Sequence, residues 1–317
     1  MNNLRIVFMG TPHFSVGILE AIKSAGMNLV GIVTVADKPA GRGQVMHESP
    51  VKQFARENQI PVLQPVKLKD PEFLAELEAW KADVFVVVAF RMLPVEVWKM
   101  PKHGTFNLHA SLLPDYRGAA PINWSIINGD TKTGVSTFFI DEAIDTGNVI
   151  GQIEMAISEN ESAGELHDRM MEVGGKLVVD TLNRIANNEV KPIPQSELGI
   201  VMRSAPKLFK ENTQIDWHAE PESIHNLVRG LNPYPAAWTT WKNSKGELKN
   251  VKVFKTLVAD NKGAGTIQLS SNKTQLFVDT HKKQLEIIEF QVEGKKKMTA
   301  KEWLVGNNSS DWVIISN

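Results

Sequence analysis

The chain of 317 residues contains no cysteine. Without thiols it can have no disulfide framework, no thiolate nucleophile, no zinc ribbon and no thiolate-held iron–sulfur cluster. Its eight histidines are scattered, with no His-Glu-x-x-His sequence and no closely spaced pair. This spacing does not favour a metal site, and we predict none.

Long apolar runs are also absent. No stretch approaches the roughly 20 apolar residues that a membrane-spanning helix needs. The N-terminus has one basic residue followed by a short β-like run, without the apolar core and cleavage site of a signal peptide. We therefore expect a cytoplasmic protein with no membrane partner. We also expect a monomer, because no apolar surface helix or edge strand stands out as an interface.

The net charge of −1 is unevenly distributed along the chain. Residues 1–190 carry 17 Lys and Arg against 23 Asp and Glu, a net −6, whereas residues 191–317 carry 18 against 13, a net +5. A basic module that contacts phosphates, attached to a small-molecule enzyme, would have this asymmetry. Chance asymmetry between two solvated surfaces would produce it equally well.

The N-terminal part has the pattern of an open α/β domain. It begins with a βαβ unit, and a later run, Asp83 to Ala89, is so apolar that it predicts the centre of a parallel sheet. We predict a Rossmann-like, open, mostly parallel sheet in a catalytic domain over residues 1–190. The predicted elements are strands at 4–9, 28–35, 83–89, 105–109 and 135–140, and helices at 14–25 and 163–186.

The pattern changes after about residue 190. Residues 191–206 are rich in proline and turn formers, which predicts a linker. Short alternating strands with turn signals between them then follow one short helix, and they indicate a small barrel. We predict an OB-like β-barrel domain over residues 207–317. Its predicted elements are a helix at 221–231 and strands at 237–242, 251–258, 265–270, 274–279 and 285–293.

The turn after the first strand lacks Gly-x-Gly-x-x-Gly, so binding of NAD is not favoured. Ligands of open α/β sheets still bind outside the carboxyl ends of the strands. Residues 9–14 are therefore either part of a pocket wall or an ordinary strand-to-helix turn.

The strand at 105–109 carries the most informative residues. Its alternation places Asn107 and His109 on one face. The amide can donate a hydrogen bond to a developing oxyanion, and the imidazole can move a proton near neutral pH. An Asn and a His two residues apart can also be purely structural.

A third polar group follows another predicted strand, in the loop Asp141 to Gly147. If Asp145 lies against His109, it would hold the imidazole in one tautomer and favour its protonated form. No Ser, Cys or Lys nucleophile accompanies these groups. The trio therefore fits direct transfer between two bound substrates better than covalent catalysis.

The run from Asn107 to Pro121, which reads NLHASLLPDYRGAAP, together with Asp145-Thr146-Gly147, resembles the signature of folate-dependent formyltransferases. The resemblance implies that Asn107, His109 and Asp145 are catalytic and that 10-formyltetrahydrofolate is the formyl donor, with no metal. An arginine, Arg91, stands where many members have glycine, so its side chain either reshapes the donor pocket or points outward. The residues expected to bind the donor are Phe14, Phe90, Arg91, Met92, Leu93, Ser111, Leu112, Leu113, Pro114 and Asp141.

Three further segments resemble the members of this family that formylate methionyl-initiator tRNA: the loop 37–43, the junction 207–217, and Arg229 to Trp238. The resemblance implies that Arg42 helps to select the initiator tRNA and that Lys38, Lys207 and Lys210 also contact tRNA. Two alternatives stay open. One is a formyltransferase acting on a sugar amine or a nucleotide, and the other is a folate- or tRNA-binding regulator without turnover.

Overall fold

The computed structural model describes residues 4–40 and 45–315. These residues form two compact units that alternate along the chain. The first unit comprises the described residues of 4–118, 133–155 and 167–204, and the second comprises 119–132, 156–166 and 205–315. None of the helices in the described part of the chain has the length and hydropathy that crossing a membrane requires.

The first unit is built on a seven-stranded sheet in the order β10-β9-β7-β6-β1-β2-β5. Five of these strands run parallel to their neighbours, and β9 is antiparallel to β7. The predicted open, mostly parallel sheet is thus confirmed. The strands of this part of the chain are β1 Ile6–Gly10, β2 Leu29–Val33, β3 Lys38–Ala40, β4 Val45–His47, β5 Val62–Leu63, β6 Val84–Val88, β7 Thr105–His109, β8 Arg117–Gly118, β9 Lys132–Phe139 and β10 Val149–Ala156.

Burial explains why β1 and β6 lie at the centre of this sheet. Every residue of both strands is buried, as expected for strands covered on both faces. The chain crosses from one side of β1 to the other, so the carboxyl ends of β1, β6 and β7 meet at a topological switch point, where ligands of such sheets bind.

Six α-helices lie in the same part of the sequence as these strands. The helix predicted at 163–186 has those bounds in the structure, and the first predicted helix is found at His13–Ser24. The helices that begin at Pro50 and Pro71 were not predicted; each has proline in its first turn and a capping side chain, Ser49 or Asp70. The helices are α1 His13–Ser24, α2 Pro50–Glu57, α3 Pro71–Ala79, α4 Val95–Trp98, α5 Pro121–Ile127 and α6 Ala163–Ala186.

The second unit contains an antiparallel sheet in the order β14-β15-β16-β13-β12-β18, with β17 paired to β16. Its edge strands β14 and β18 contact each other, so the sheet is nearly closed and the predicted small barrel is confirmed. Buried Trp217, Trp241 and Trp303 fill its core. The strands and α-helices from residue 204 onward are β11 Ser204–Ala205, α7 Pro221–Gly230, β12 Ala237–Asn243, β13 Leu248–Lys262, β14 Gln268–Ser271, β15 Leu276–Asp279, β16 Lys283–Val292, β17 Met298–Thr299, α8 Ala300–Leu304 and β18 Trp312–Ile315.

Candidate active site

Strand β7 presents Asn107 and His109 at the carboxyl edge of the first unit's sheet. His109 ends the strand and is only 7% exposed, whereas Asn107 is half-buried. Within residues 4–40 and 45–315, the side-chain amide of Asn107 has no hydrogen-bond partner. An amide that is partly shielded from water and free to donate is suited to bind a substrate oxygen.

The tautomer of His109 follows from a backbone carbonyl. Its Nε2 lies 2.9 Å from the carbonyl oxygen of Tyr116. A carbonyl can only accept, so Nε2 must carry a hydrogen. The other ring nitrogen, Nδ1, lies 3.9 Å from Oδ2 of Asp145. Nδ1 is therefore the atom through which this ring can accept or release a proton.

An ion pair between Asp115 and the partly exposed Arg203 helps to hold the Tyr116 carbonyl in place. Asp115, which is 9% exposed, accepts hydrogen bonds from the backbone N–H and the guanidinium of Arg203. The Arg203 carbonyl in turn accepts from the Tyr116 N–H at 2.8 Å, and its guanidinium lies over the Tyr116 ring at 4.3 Å. Tyr116 has a φ of 57°, a left-handed conformation that such bonds help to maintain.

The structure also brings Asp145 to this edge. Its side chain is 17% exposed, and Oδ2 accepts a hydrogen bond of 3.0 Å from the backbone N–H of Gly118. The 3.9 Å between this carboxylate and Nδ1 of His109 is too long for a direct hydrogen bond. A nitrogen or water placed within reach of both atoms can bridge them.

The segment that follows His109 is largely buried. Ser111 and Leu113 are fully buried, Pro114 is buried and Leu112 is half-buried. The Ser111 carbonyl accepts from Ser136 Oγ at 2.6 Å, and the Leu113 N–H donates to the same hydroxyl at 3.0 Å. Hydrogen bonds and packing within the protein therefore account for the observed contacts of Ser111 and Leu113. That these two residues also contact the formyl donor stays a prediction.

At the end of β6, Arg91 is half-buried and its guanidinium donates to the carbonyls of Pro65 and Val66. It also lies over the ring of Phe90, at 5.7 Å from the centroid. Burial lowers the pKa of Arg91 from its ordinary value. Arg91 thus ties residues 90–93 to the loop of Pro65 and Val66.

The other residues predicted to bind the donor lie in different environments. Met92 is 67% exposed, whereas Leu93 and Phe14 are buried at 6% and 7%. Phe14 packs edge-on against His167, with the ring centroids 5.1 Å apart. Asp141 is exposed, and its Oδ1 accepts from Thr146 Oγ1 at 2.7 Å, a bond that shapes the loop leading to Asp145.

The residues predicted to contact tRNA are exposed where the structure describes them. Lys38 begins β3, while Arg42 lies outside the described residues. Lys207 Nζ lies 5.6 Å from the centre of the Phe209 ring, and Lys210 Nζ lies 5.0 Å from that of Trp238.

Sequence reasoning missed the groups that position the catalytic candidates. The Tyr116 carbonyl and the Gly118 N–H are backbone atoms, so residue type alone could not reveal them. Arg203 lies in the predicted linker. No set of three or more His, Cys, Asp or Glu side chains suited to a metal ion occurs in the part of the chain that the structure describes.

Two family models match the chain. Residues 4–182 match the formyl transferase model, and residues 207–308 match the model of the formyl transferase C-terminal domain. Among solved structures, an N-formyltransferase from Helicobacter canadensis, in complex with folinic acid and dTDP-3-aminofucose, has a similar fold. It superposes with a TM-score of 0.64 at 21% identity, over 93% of this chain and 100% of that chain.

Curated relatives are more similar in sequence. The methionyl-tRNA formyltransferase of Bacteroides thetaiotaomicron is 48% identical over 98% of this chain and 97% of its own length. That of Flavobacterium johnsoniae is 50% identical over 98% of both chains. These matches confirm the resemblance found in the sequence, and the chain belongs to the formyl transferase family.

Proposed function

We propose that the chain transfers the formyl group of 10-formyltetrahydrofolate to the amino group of methionyl-initiator tRNA. The similarity to methionyl-tRNA formyltransferases over nearly the whole chain supports this reaction. The observation that carries the chemistry is the arrangement of the free Asn107 amide, the oriented His109 ring and the Asp145 carboxylate at one sheet edge.

In this reaction the amine nitrogen forms a bond to the formyl carbon, and the bond from that carbon to the folate nitrogen breaks. The Asn107 amide would donate to the oxygen that becomes negatively charged on the way. Oxyanion donors of this kind contribute about 10²- to 10³-fold to kcat. The amide has no competing partner within the described residues, so binding this oxygen disrupts no existing hydrogen bond.

The attacking amine must lose a proton and the leaving folate nitrogen must gain one. Because Nε2 of His109 is occupied by the Tyr116 carbonyl, this transfer would run through Nδ1. Asp145 would stabilise the positive charge that the ring acquires. A bridging amine or water would fit the 3.9 Å between Nδ1 and Oδ2.

The donor would bind outside the carboxyl ends of β1 and β6, between residues 9–14, 90–93 and 141–145. The hydroxyl of Thr11, in the turn after β1, is buried and has no hydrogen-bond partner within residues 4–40 and 45–315. A buried polar atom without a partner is costly unless a ligand or water satisfies it. This atom therefore supports a polar ligand at this edge.

Basic side chains beside aromatic rings support the second unit as the tRNA-binding part. Lys210 beside Trp238 and Lys207 beside the exposed ring of Phe209 offer a phosphate contact and a stacking surface together. Lys282 and Lys283 are already paired with Glu220 and Glu222, which makes them weaker candidates. Arg42 and Lys38 are proposed to contact the acceptor end of the tRNA.

The acceptor can be identified directly. The purified chain is incubated with 10-formyltetrahydrofolate and, separately, methionyl-initiator tRNA, methionyl-elongator tRNA and a nucleotide-linked amino sugar, and formylated products are quantified by mass spectrometry. We expect N-formylmethionyl-tRNA from the initiator only. Formylation of the amino sugar alone would overturn the proposed acceptor, and absence of any product would favour a binding protein without turnover.

A further inference from the structure

A buried glutamine lies beside the proposed catalytic loop, in the segment predicted as a linker. Gln195 is 4% exposed. Its Nε2 donates to the carbonyls of Asp145 and Gly147 at 2.9 and 2.8 Å. Its Oε1 accepts from Nε and Nη2 of Arg117 at 3.1 and 2.7 Å. A primary amide has two N–H donors and two lone pairs on oxygen, so every polar position of this side chain is used.

The partners fix the orientation of the amide. Carbonyls only accept and a guanidinium only donates, so the nitrogen must face the loop and the oxygen must face Arg117. The backbone near Gln195 is also fixed, because Ile193, two residues earlier, exchanges two backbone hydrogen bonds of 2.8 Å with Val149. Gln195 therefore joins the loop to Arg117 from a fixed position.

The loop needs such support. Asp145 has a φ of 56°, a left-handed conformation that costs a non-glycine residue roughly 1–3 kcal/mol. The two bonds from Gln195 reach the loop at Asp145 itself and two residues later. On the other side, Arg117 precedes Gly118, whose N–H binds the Asp145 carboxylate. Gln195 thus links both segments that set the carboxylate 3.9 Å from His109.

We infer that Gln195 is a positioning residue for formyl transfer: it acts on the reaction only through the place it gives to Asp145. This inference rests on the proposed function, in which Asp145 is catalytic. No substrate atom needs to touch Gln195. Its removal should therefore lower kcat and leave the KM values of both substrates nearly unchanged.

A double-mutant cycle tests this dependence. Gln195→Met keeps the side-chain volume and removes all four bonds, and it should lower kcat about tenfold, since a misplacement of about 1 Å can cost up to 10²-fold. KM for donor and tRNA should stay within about threefold. In an Asp145→Ala background the same change should cost less than about twofold, because groups that act as a unit are not additive.

Arg184→Ala is the matched control. It removes a side-chain bond of 3.0 Å to the carbonyl of Ile150 in the same unit, without touching the loop. We expect it to lower the melting temperature about as much as Gln195→Met while keeping kcat near the wild-type value. Equal loss of kcat in both variants would show general destabilisation and overturn the inference.

The other outcomes are also decisive. Wild-type kcat in folded Gln195→Met, or a tenfold loss that persists in the Asp145→Ala background, would overturn the role of Gln195 alone. Full activity of Asp145→Ala would instead refute the proposed role of Asp145. If Gln195→Met does not fold, Arg117→Leu removes the bonds to Oε1 from a half-buried position, and its loss of kcat must likewise vanish without Asp145.

Discussion

Gly147 lies two residues beyond Asp145, where neighbouring backbone leaves no room for a side chain. A Cβ added there would lie 1.7 Å from the carbonyl oxygen of Phe139, whereas real Cβ atoms essentially never come closer than 3.0 Å to a neighbour. The oxygen belongs to β9 and cannot rotate away. Gly147→Ala must therefore move the loop or the strand by at least about 1.3 Å.

A displacement of this size should reach the Asp145 carboxylate, because Gln195 bonds to the carbonyls of both Asp145 and Gly147. We expect kcat of Gly147→Ala to fall about 10²-fold. Overpacking should also cost about 1–3 kcal/mol of unfolding free energy, so the variant should still fold. Steady-state formylation of methionyl-initiator tRNA gives kcat, and thermal melting monitors the fold.

Gly151→Ala, in the following strand, is the control for this substitution. Its Cβ would meet only the ends of side chains, at 3.1 Å from Leu177 Cδ1 and 3.4 Å from Arg184 Nη1. We expect kcat within about threefold of wild type. If folded Gly147→Ala also keeps wild-type kcat, the position of this loop does not matter for the reaction and our reasoning is refuted.

Three further predictions concern other parts of the chain. Arg91→Ala should raise KM for the formyl donor about tenfold with kcat unchanged, because residues 90–93 lose charge-assisted bonds to Pro65 and Val66; an unaltered KM would contradict this role. Lys210→Ala should weaken binding of tRNA and reduce the slope of log affinity against log salt concentration by about 0.7–0.9. Lys282→Ala should change neither quantity, because Lys282 is paired with Glu220. Equal slopes in wild type and Lys210→Ala would argue against a phosphate contact. Burial, and next the charge of Arg229, hold the pKa of His225 below its ordinary value of 6.5. The unfolded chain therefore takes up this proton first, so stability is complete above pH 6.5 and falls below it, by at most about 1.4 kcal/mol per pH unit. Urea unfolding at several pH values should show this loss in wild type and not in His225→Gln.

Where an element has a strong local pattern, its position could be predicted from the sequence. Strand β7 and helix α6 have the predicted bounds, because alternation marks the first and a long amphipathic pattern marks the second. Strand β18 was missed: it is four residues long, and its pairing with β12 depends on a contact some seventy residues away. The short helices α2 and α3 are marked chiefly by a capping residue before proline.

Some residues of the candidate site could likewise be predicted from local patterns, and others could not. Asn107 and His109 could be placed together from the period of one strand, and Asp145 from its position after the next. The groups that orient these side chains could not be predicted, because they are the backbone carbonyl of Tyr116 and the backbone N–H of Gly118. Nearly every residue type has such backbone groups. Gln195 lies in a proline-rich stretch that has no local sign of a role. Long-range packing alone brings it to the loop.

A single-turnover measurement tests whether Asn107, His109 and Asp145 carry out formyl transfer to methionyl-tRNA. Enzyme in excess is mixed with methionyl-initiator tRNA and saturating 10-formyltetrahydrofolate, and formylation is followed by rapid quench for wild type, Asn107→Ala and the exposed control Asn183→Ala. We predict that Asn107→Ala is slower by about 10²-fold or more, while Asn183→Ala matches wild type. A wild-type rate in Asn107→Ala would show that the Asn107 amide does not stabilise the transition state.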